Sequence, residues 1–358
     1  MRRPGVQDLY RLAWRHAHRL PAGVGYALSA LGADAAWAVG RLRGGRGGVG
    51  QLERNLARLL PPSTTRAGLH RTTRLGMRSY MRYFYEAFAL TGMSDEQILA
   101  RVRGEIDPAV HDDLRHGSVV VALAHTGNWD LAAAWACREL ATVLTVAERL
   151  EPADLYEQFI DFRQGLGMRI IGQGHGEKVF DALVAAASDG GTYLIPLLAD
   201  RDLSSAGVAV DLAGHRARVA AGPAALAQAL GRPLYVGVMH YERLTGERRR
   251  RAGSPWGVVV TIRALRPPQG ATARERVVAA THDWARAMGT MLAEYAVDWH
   301  MLQAVFEDDL DPERLARRHA AEQDSQQTGK QTGDQNSEPT GNPARGDGDS
   351  PRTSVEQA

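Results

Sequence analysis

Between residues 104 and 310, short runs of β-branched and aliphatic residues alternate with longer alanine- and leucine-rich runs. This alternation constrains the fold more than any other feature, because it predicts an α/β architecture with a central mixed sheet flanked by helices. Residues 119–124 read as a buried strand, with 129–140 as the helix that follows. Strands are then expected at 141–147, 168–171 and 192–198, with helices at 154–165 and 178–188 between them. Gly214 and Gly222-Pro223 bracket a hairpin-like segment. Strands at 233–240 and 256–262 follow, joined by an excursion that carries Arg248 to Arg251, and a last helix spans 281–295.

Sheets of this kind place their chemistry in the loops at strand ends. His125, Glu148 and Asp200-Arg201-Asp202 each follow a strand-like run, so parallel neighbouring strands would gather them on one edge. His125 and Asp130 are five residues apart across a tight turn of Thr126, Gly127 and Asn128. The carboxylate can therefore accept from one ring nitrogen of the histidine and leave the other as a base. The same two residues also read as a hydrogen-bonded structural histidine and a carboxylate favouring a helix N-terminus. Arg163 reads either as a planar fork for phosphate or carboxylate or as half of a helix-surface ion pair. Asp200, Arg201 and Asp202 read either as a brace of the sheet edge or as substrate contacts, with Asp200 or Asp202 accepting from sugar hydroxyls.

The N-terminal region is basic: residues 1–103 hold 17 arginines against six acidic residues, although the whole chain carries only +2. Such asymmetry suggests an anionic surface as partner. Apolar residues interleave with arginines over 6–40, with Pro21 as an interruption, which fits amphipathic helices lying in a membrane interface or covering a core. The stretch 22–39 is Gly- and Ala-rich and contains Asp34, which argues against a membrane span. Tyr80, Tyr83, Phe84 and Phe88 form an aromatic stripe at helical spacing, suited to a core or an acyl-chain pocket. Nucleic acid is not expected as a partner, since no aromatic–basic stacking motif accompanies the arginines. The single Cys137 excludes a disulfide framework and a multi-cysteine zinc site, and no metal is expected. From about residue 320 the chain is polar and should be disordered.

The segment His125-Thr-Gly-Asn-Trp-Asp130 resembles the His-x4-Asp signature of the glycerolipid-type acyltransferases. Its Asn-Trp spelling is similar to the branch of lipid A late acyltransferases and phosphatidylinositol mannoside acyltransferases. A second block, running from Leu198-Ala-Asp200-Arg201-Asp202 to Gly214 and on to Ala220-Ala-Gly222-Pro223, resembles that branch at a compatible distance. Glu148, Arg163 and the Trp299-His300 segment resemble further family positions, His300 as a structural residue. The likeness covers roughly residues 5 to 310.

The resemblance implies a glycerolipid acyltransferase-like single domain in three parts. These are basic amphipathic helices over 1–103, which cover an acyl pocket at the membrane interface, an α/β core over 104–310, and a tail over 320–358. It implies transfer of a long-chain acyl group, palmitoyl, from acyl-CoA to a mannose hydroxyl of a phosphatidylinositol mannoside. His125 would be the general base oriented by Asp130, with Glu148, Arg163, Asp200, Arg201 and Asp202 binding substrate. No Gly-x-Ser-x-Gly elbow is present, so direct transfer without an acyl-enzyme and without a cofactor is expected. The expected location is peripheral, on the cytoplasmic face of an anionic membrane. Other acceptors, such as another glycolipid or a lysophospholipid, and a non-catalytic membrane-binding role remain as alternatives.

Overall fold

Parallel pairing of β2 (Val119–Leu123) with β5 (Tyr193–Leu198) organises the molecule, because it places the residues that follow both strands side by side. The computed structural model of the chain describes residues 16–148, 153–173, 179–313, 315–317 and 320. The described residues up to Asp311 form one compact unit.

Among the described residues four α-helices precede the sheet: α1 (Ala22–Leu42), α2 (Gly48–Leu59), α3 (Arg66–Ala89) and α4 (Asp95–Arg101). Pro21 interrupts the 6–40 stretch as expected: a short 3-10 turn, Ala17–Arg19, ends before it and α1 begins directly after it, with Pro21 at the N-cap, where its missing N–H would have no helical partner. Helix α4 opens on a full capping box, with Ser94 and Gln97 each accepting from the other's backbone N–H.

Strand β1 (Val102–Ile106) and α5 (Pro108–Arg115) lead into β2, and α6 (Trp129–Glu139) follows it. The chain continues through β3 (Thr142–Glu148), α7 (Ala153–Gly165), β4 (Arg169–Gln173), α8 (Val179–Ala187) and β5. Next comes a hairpin of β6 (Val208–Leu212) and β7 (His215–Val219). Its two-residue turn, Ala213 and Gly214, has positive φ at both positions, as a twisted hairpin favours. The turn is therefore centred at 213–214, and Gly214 lies within it. Gly289 is needed opposite, because a Cβ there would sit 2.5 Å from the Ala213 nitrogen.

Helix α9 (Gly222–Leu230), β8 (Leu234–Arg243), α10 (Gly246–Ala252), β9 (Trp256–Ala264) and α11 (Ala273–Glu294) complete the fold. The arginines 248–251, expected on an excursion between strands, lie in the short helix α10, which ends at Gly253 in the left-handed conformation. Helix α11 starts eight residues earlier than periodicity suggests, because Thr272 and Glu275 form a second capping box.

The seven-stranded sheet has the order β1-β9-β8-β2-β5-β3-β4. All its pairings are parallel except β8 with β9. This is the mixed α/β sheet flanked by helices that the sequence predicts. One apolar cluster joins α2, α11, the hairpin and one end of β2 and β8, and another joins α6 to β1, β2, β5 and β9. Among the described residues no helix is long and apolar enough to cross a membrane. Helix α1 nevertheless exposes Val24, Leu28, Leu31, Val39 and Leu42 at helical spacing. The side chain of Glu148 and the tail beyond residue 320 lie outside the described residues.

Candidate functional site

Strand register determines which groups meet. Leu123 pairs with Leu198, and the same offset of 75 residues carries two positions further to His125 and Asp200. Ala199 N–H still donates to the Leu123 carbonyl at 2.8 Å, so the parallel alignment persists past the strand ends. Because β3 is the other neighbour of β5, the backbone of Glu148 reaches the carboxyl edge of the same three strands.

His125 Nδ1 lies 2.6 Å from Asp200 Oδ1, and the His125 backbone N–H donates to Oδ2 at 3.0 Å. Trp299 Nε1–H also donates to Oδ2, at 2.8 Å. Asp200 is completely buried, whereas the His125 side chain is 37% exposed. Burial alone would raise the Asp200 pKa, but the His125 charge and the three donors overcome it and hold the carboxyl below its usual range. For His125, burial disfavours the charged ring, yet the Asp200 carboxylate outweighs it and raises the pKa above the ordinary value. Among the described residues no side chain bonds Nε2. A carboxylate that fixes Nδ1–H and leaves Nε2 bare is the arrangement of a general base.

This overturns two expectations. Asp200 does not await a sugar hydroxyl, because protein donors already occupy its oxygens. Asp130 does not orient His125. As the second residue of α6, it turns its carboxylate away, accepting from Arg163 Nε at 2.8 Å and from the Tyr83 hydroxyl at 3.1 Å. Asp130 is 2% and Arg163 18% exposed, so Arg163 is a partly buried ion-pair partner, not a surface one. Burial opposes charge on Arg163, and Asp130 more than compensates, raising its pKa. Burial, helped by the Asp130 charge, pushes the Tyr83 hydroxyl well above its ordinary pKa and keeps it a neutral donor. Arg201 Nε donates to the Ala304 carbonyl at 3.0 Å, and its charge acts on His125 as a minor opposing influence. The Asp202 carboxylate closes a turn by accepting from Ser204 N–H at 2.8 Å.

The closing segment clamps the histidine turn. His300 N–H donates to the His125 carbonyl at 2.7 Å, and Gly127 N–H donates to the Asp298 carbonyl at 3.0 Å. The His300 ring is buried, with its pKa pushed down to about 3, and it lies 2.9 Å from Ser79 Oγ. Asn128 caps α6 by accepting from Leu131 N–H, and its own amide donates to Glu86 Oε2 at 2.9 Å. Glu86, wholly buried, also accepts from Arg101, Tyr26 and Tyr241. Of these supports the sequence pointed to the Trp299-His300 pair and to Asn128 in the turn that starts α6. Glu86 sits inside the aromatic stripe of α3, and that placement is the one clue to its role.

Trp129 is edge-on to the His125 ring at 5.8 Å and packs against Tyr83 at 3.9 Å. Behind it an apolar slot runs between α6 and the sheet, lined by Ala132, Ala133 and Ala136 on the helix and by Val121, Leu194 and Met239 on strands. Its free space is ≈ 40 Å³.

Three comparisons bear on this site. The chain matches the family described as bacterial lipid A biosynthesis acyltransferase over residues 9–307. It is 34% identical over 321 residues to the phosphatidylinositol mannoside acyltransferase of Mycolicibacterium smegmatis (strain ATCC 700084 / mc(2)155), covering 87% of this chain and 95% of that protein. It is 35% identical over 280 residues to the protein of the same name in Mycobacterium tuberculosis (strain CDC 1551 / Oshkosh), covering 76% of this chain and 81% of that one.

Proposed function

Because this chain belongs to the bacterial lipid A biosynthesis acyltransferase family, we propose that it moves a long-chain acyl group, palmitoyl, from acyl-CoA to a mannose hydroxyl of a phosphatidylinositol mannoside. The printed names of its relatives support that acceptor. The observation that carries the chemistry is the bond from His125 Nδ1 to Asp200, which leaves Nε2 without a side-chain partner among the described residues.

In this reading Nε2 takes the proton of the acceptor hydroxyl as its oxygen attacks the thioester carbonyl. The tetrahedral adduct then collapses, the carbon–sulfur bond breaks, and the thiolate leaves with the proton held on His125. Asp200 keeps Nδ1 protonated throughout and stabilises the imidazolium, help worth about 10²–10⁴ in rate. The start of α6, four residues after His125, supplies the helix N-terminus that favours the developing negative oxygen in this reading. Asp130 and Arg163 hold the first turn of α6 against α3 and α7, so Asp130 is a positioning residue. The acyl chain enters by parting α6 from the sheet, since the alanine-lined slot is nearly closed without it. The exposed apolar stripe of α1 and the surrounding arginines support a peripheral location on an anionic, cytoplasmic membrane face.

Acyl transfer from palmitoyl-CoA to purified phosphatidylinositol mannosides, wild type against His125→Ala, tests the reading. Product formed by wild type and lost in a folded His125→Ala variant supports it. If wild type acylates a lysophospholipid or another glycolipid instead, the proposed acceptor is wrong. Equal transfer by the variant would remove the base.

A further inference from the structure

Away from His125, a cleft of ≈ 420 Å³ opens between α1, α3 and the chain ends of β8 and β9. Its lining includes Tyr26, Leu75, Arg78, Arg82, Arg243 and Trp256, and no carboxylate. The charges around it do not balance. The Arg82 guanidinium carbon is 3.5 Å from the centre of the Trp256 ring and that of Arg243 is 3.9 Å from it, so one indole carries two cations. Arg82 also lies 4.5 Å from the Tyr241 ring. Among the described residues neither arginine has an ion-pair partner.

The Arg82 charge reaches buried Asp298, whose oxygens accept from Ser79 Oγ and Tyr241 N–H and which forms no ion pair among the described residues. The other neighbouring carboxylates are paired elsewhere. Glu242 pairs with Arg248 and Arg103, and Glu86 with Arg101. Arg78 shares the single carboxylate of Asp34 with Arg74. Three guanidinium groups thus line the cleft without a carboxylate among them, and only Arg78 has an ion-pair partner among the described residues.

An arginine stacked on an aromatic face keeps its N–H edge free for a planar, forked contact with phosphate. Two such groups on one indole repel each other unless an anion lies between their edges. We propose that this cleft binds the phosphodiester of an anionic membrane lipid headgroup, at a site separate from the acyl-transfer centre. A lipid is the occupant because the rim is apolar. Leu75 is 41% exposed at the cleft, and Val24 and Leu28, 46% and 56% exposed, flank the α1 residues Gly23, Ala27 and Ala30 that line it. The headgroup phosphate enters among the arginines while its chains meet the α1 stripe. The inference rests on the proposed membrane location but not on the transfer chemistry.

The test is co-flotation of the full chain with phosphatidylcholine vesicles containing either phosphatidylinositol or, at matched surface charge, oleate. The variants are Arg243→Gln, Arg82→Gln and, as a control on α10, the exposed Arg249→Gln. Arg243 is exposed, so its removal leaves the fold intact, and unchanged melting of each variant verifies this. Each cleft variant is expected to weaken partitioning to phosphatidylinositol vesicles about fivefold, as for ~1 kcal/mol per cation, with oleate vesicles and Arg249→Gln unaffected. Equal losses on both vesicle types would reduce the cleft to diffuse charge and overturn the site. So would phosphatidylinositol binding that the cleft variants leave unchanged. Inorganic phosphate that displaces the protein at low concentration would make the ligand a soluble phosphate and overturn the lipid assignment. Failure of wild type to float with any vesicle would instead overturn the membrane location itself.

Discussion

His125 and Asp200 are 75 residues apart in sequence yet hydrogen-bonded at 2.6 Å, because β2 and β5 keep one parallel register past their ends. The carboxylate raises the histidine pKa, so below that value the ring is protonated and cannot act as a base. The rate of acyl transfer, measured as kcat/KM against pH, should therefore rise through a limb lying above the ordinary histidine range. Asp200→Asn should move this limb to lower pH and lower the plateau by about 10²–10⁴. Asp130→Asn should leave the limb in place. If instead Asp130→Asn shifts it and Asp200→Asn does not, the assignment of Asp200 as the orienting acid is wrong.

The same register shows what was legible in the sequence and what was not. The alternation of runs gives the mixed sheet, and the strand ends at Leu123, Glu148 and Leu198 give the edge where the chemistry collects. Side-chain direction was not readable. Five residues across a turn made Asp130 the natural partner of His125, but the second position of α6 aims its carboxylate at Tyr83 and Arg163. Likewise Glu86 reads as one polar residue in an aromatic helix, since its four donors come from segments as far apart as Tyr26 and Tyr241. Capping boxes at Ser94 and Thr272 were local signals, present in the sequence as Ser94/Gln97 and Thr272/Glu275.

The pair of Asp130 and Arg163 predicts a double-mutant result. Arg163→Met leaves a buried carboxylate whose only donor among the described residues is the Tyr83 hydroxyl. Removing one partner of a buried pair costs about 3–5 kcal/mol, and the 18% exposure of Arg163 places the loss at the lower end. Arg163→Met combined with Asp130→Asn should recover part of it, because no uncompensated charge remains. Denaturant unfolding of the two single variants and the double variant measures the coupling. Strict additivity would mean that the two groups do not interact.

Glu86 ties four segments together, and its loss should reach the His125 turn through Asn128. Glu86→Gln leaves Arg101, 1% exposed, without its counter-charge and should destabilise the chain by about 3–5 kcal/mol. Tyr26→Phe removes a single hydroxyl donor and should cost only about 0.5–1.5 kcal/mol. The two should also differ in activity. Glu86→Gln, assayed below its melting point, should lower kcat because Asn128 no longer holds the start of α6, whereas Tyr26→Phe should not. Equal kcat in both variants would limit Glu86 to a purely structural role.

The alanine-lined slot makes a prediction about chain length. Ala132, Ala133 and Ala136 leave space between α6 and the sheet only because their side chains stop at Cβ. A phenylalanine at Ala136 would block the far part of the slot while leaving His125, Asp200 and Trp129 in place. Ala136 is 5% exposed, so the larger ring also strains the packing, by about 1–3 kcal/mol, and the variant should melt lower while remaining folded. If the acyl chain lies there, Ala136→Phe should transfer a palmitoyl chain poorly and a short acyl chain at near the wild-type rate. The readout is the ratio of kcat/KM for long and short acyl-CoA donors, which cancels any general loss of folded enzyme. A ratio unchanged from wild type would place the acyl chain elsewhere on the molecule.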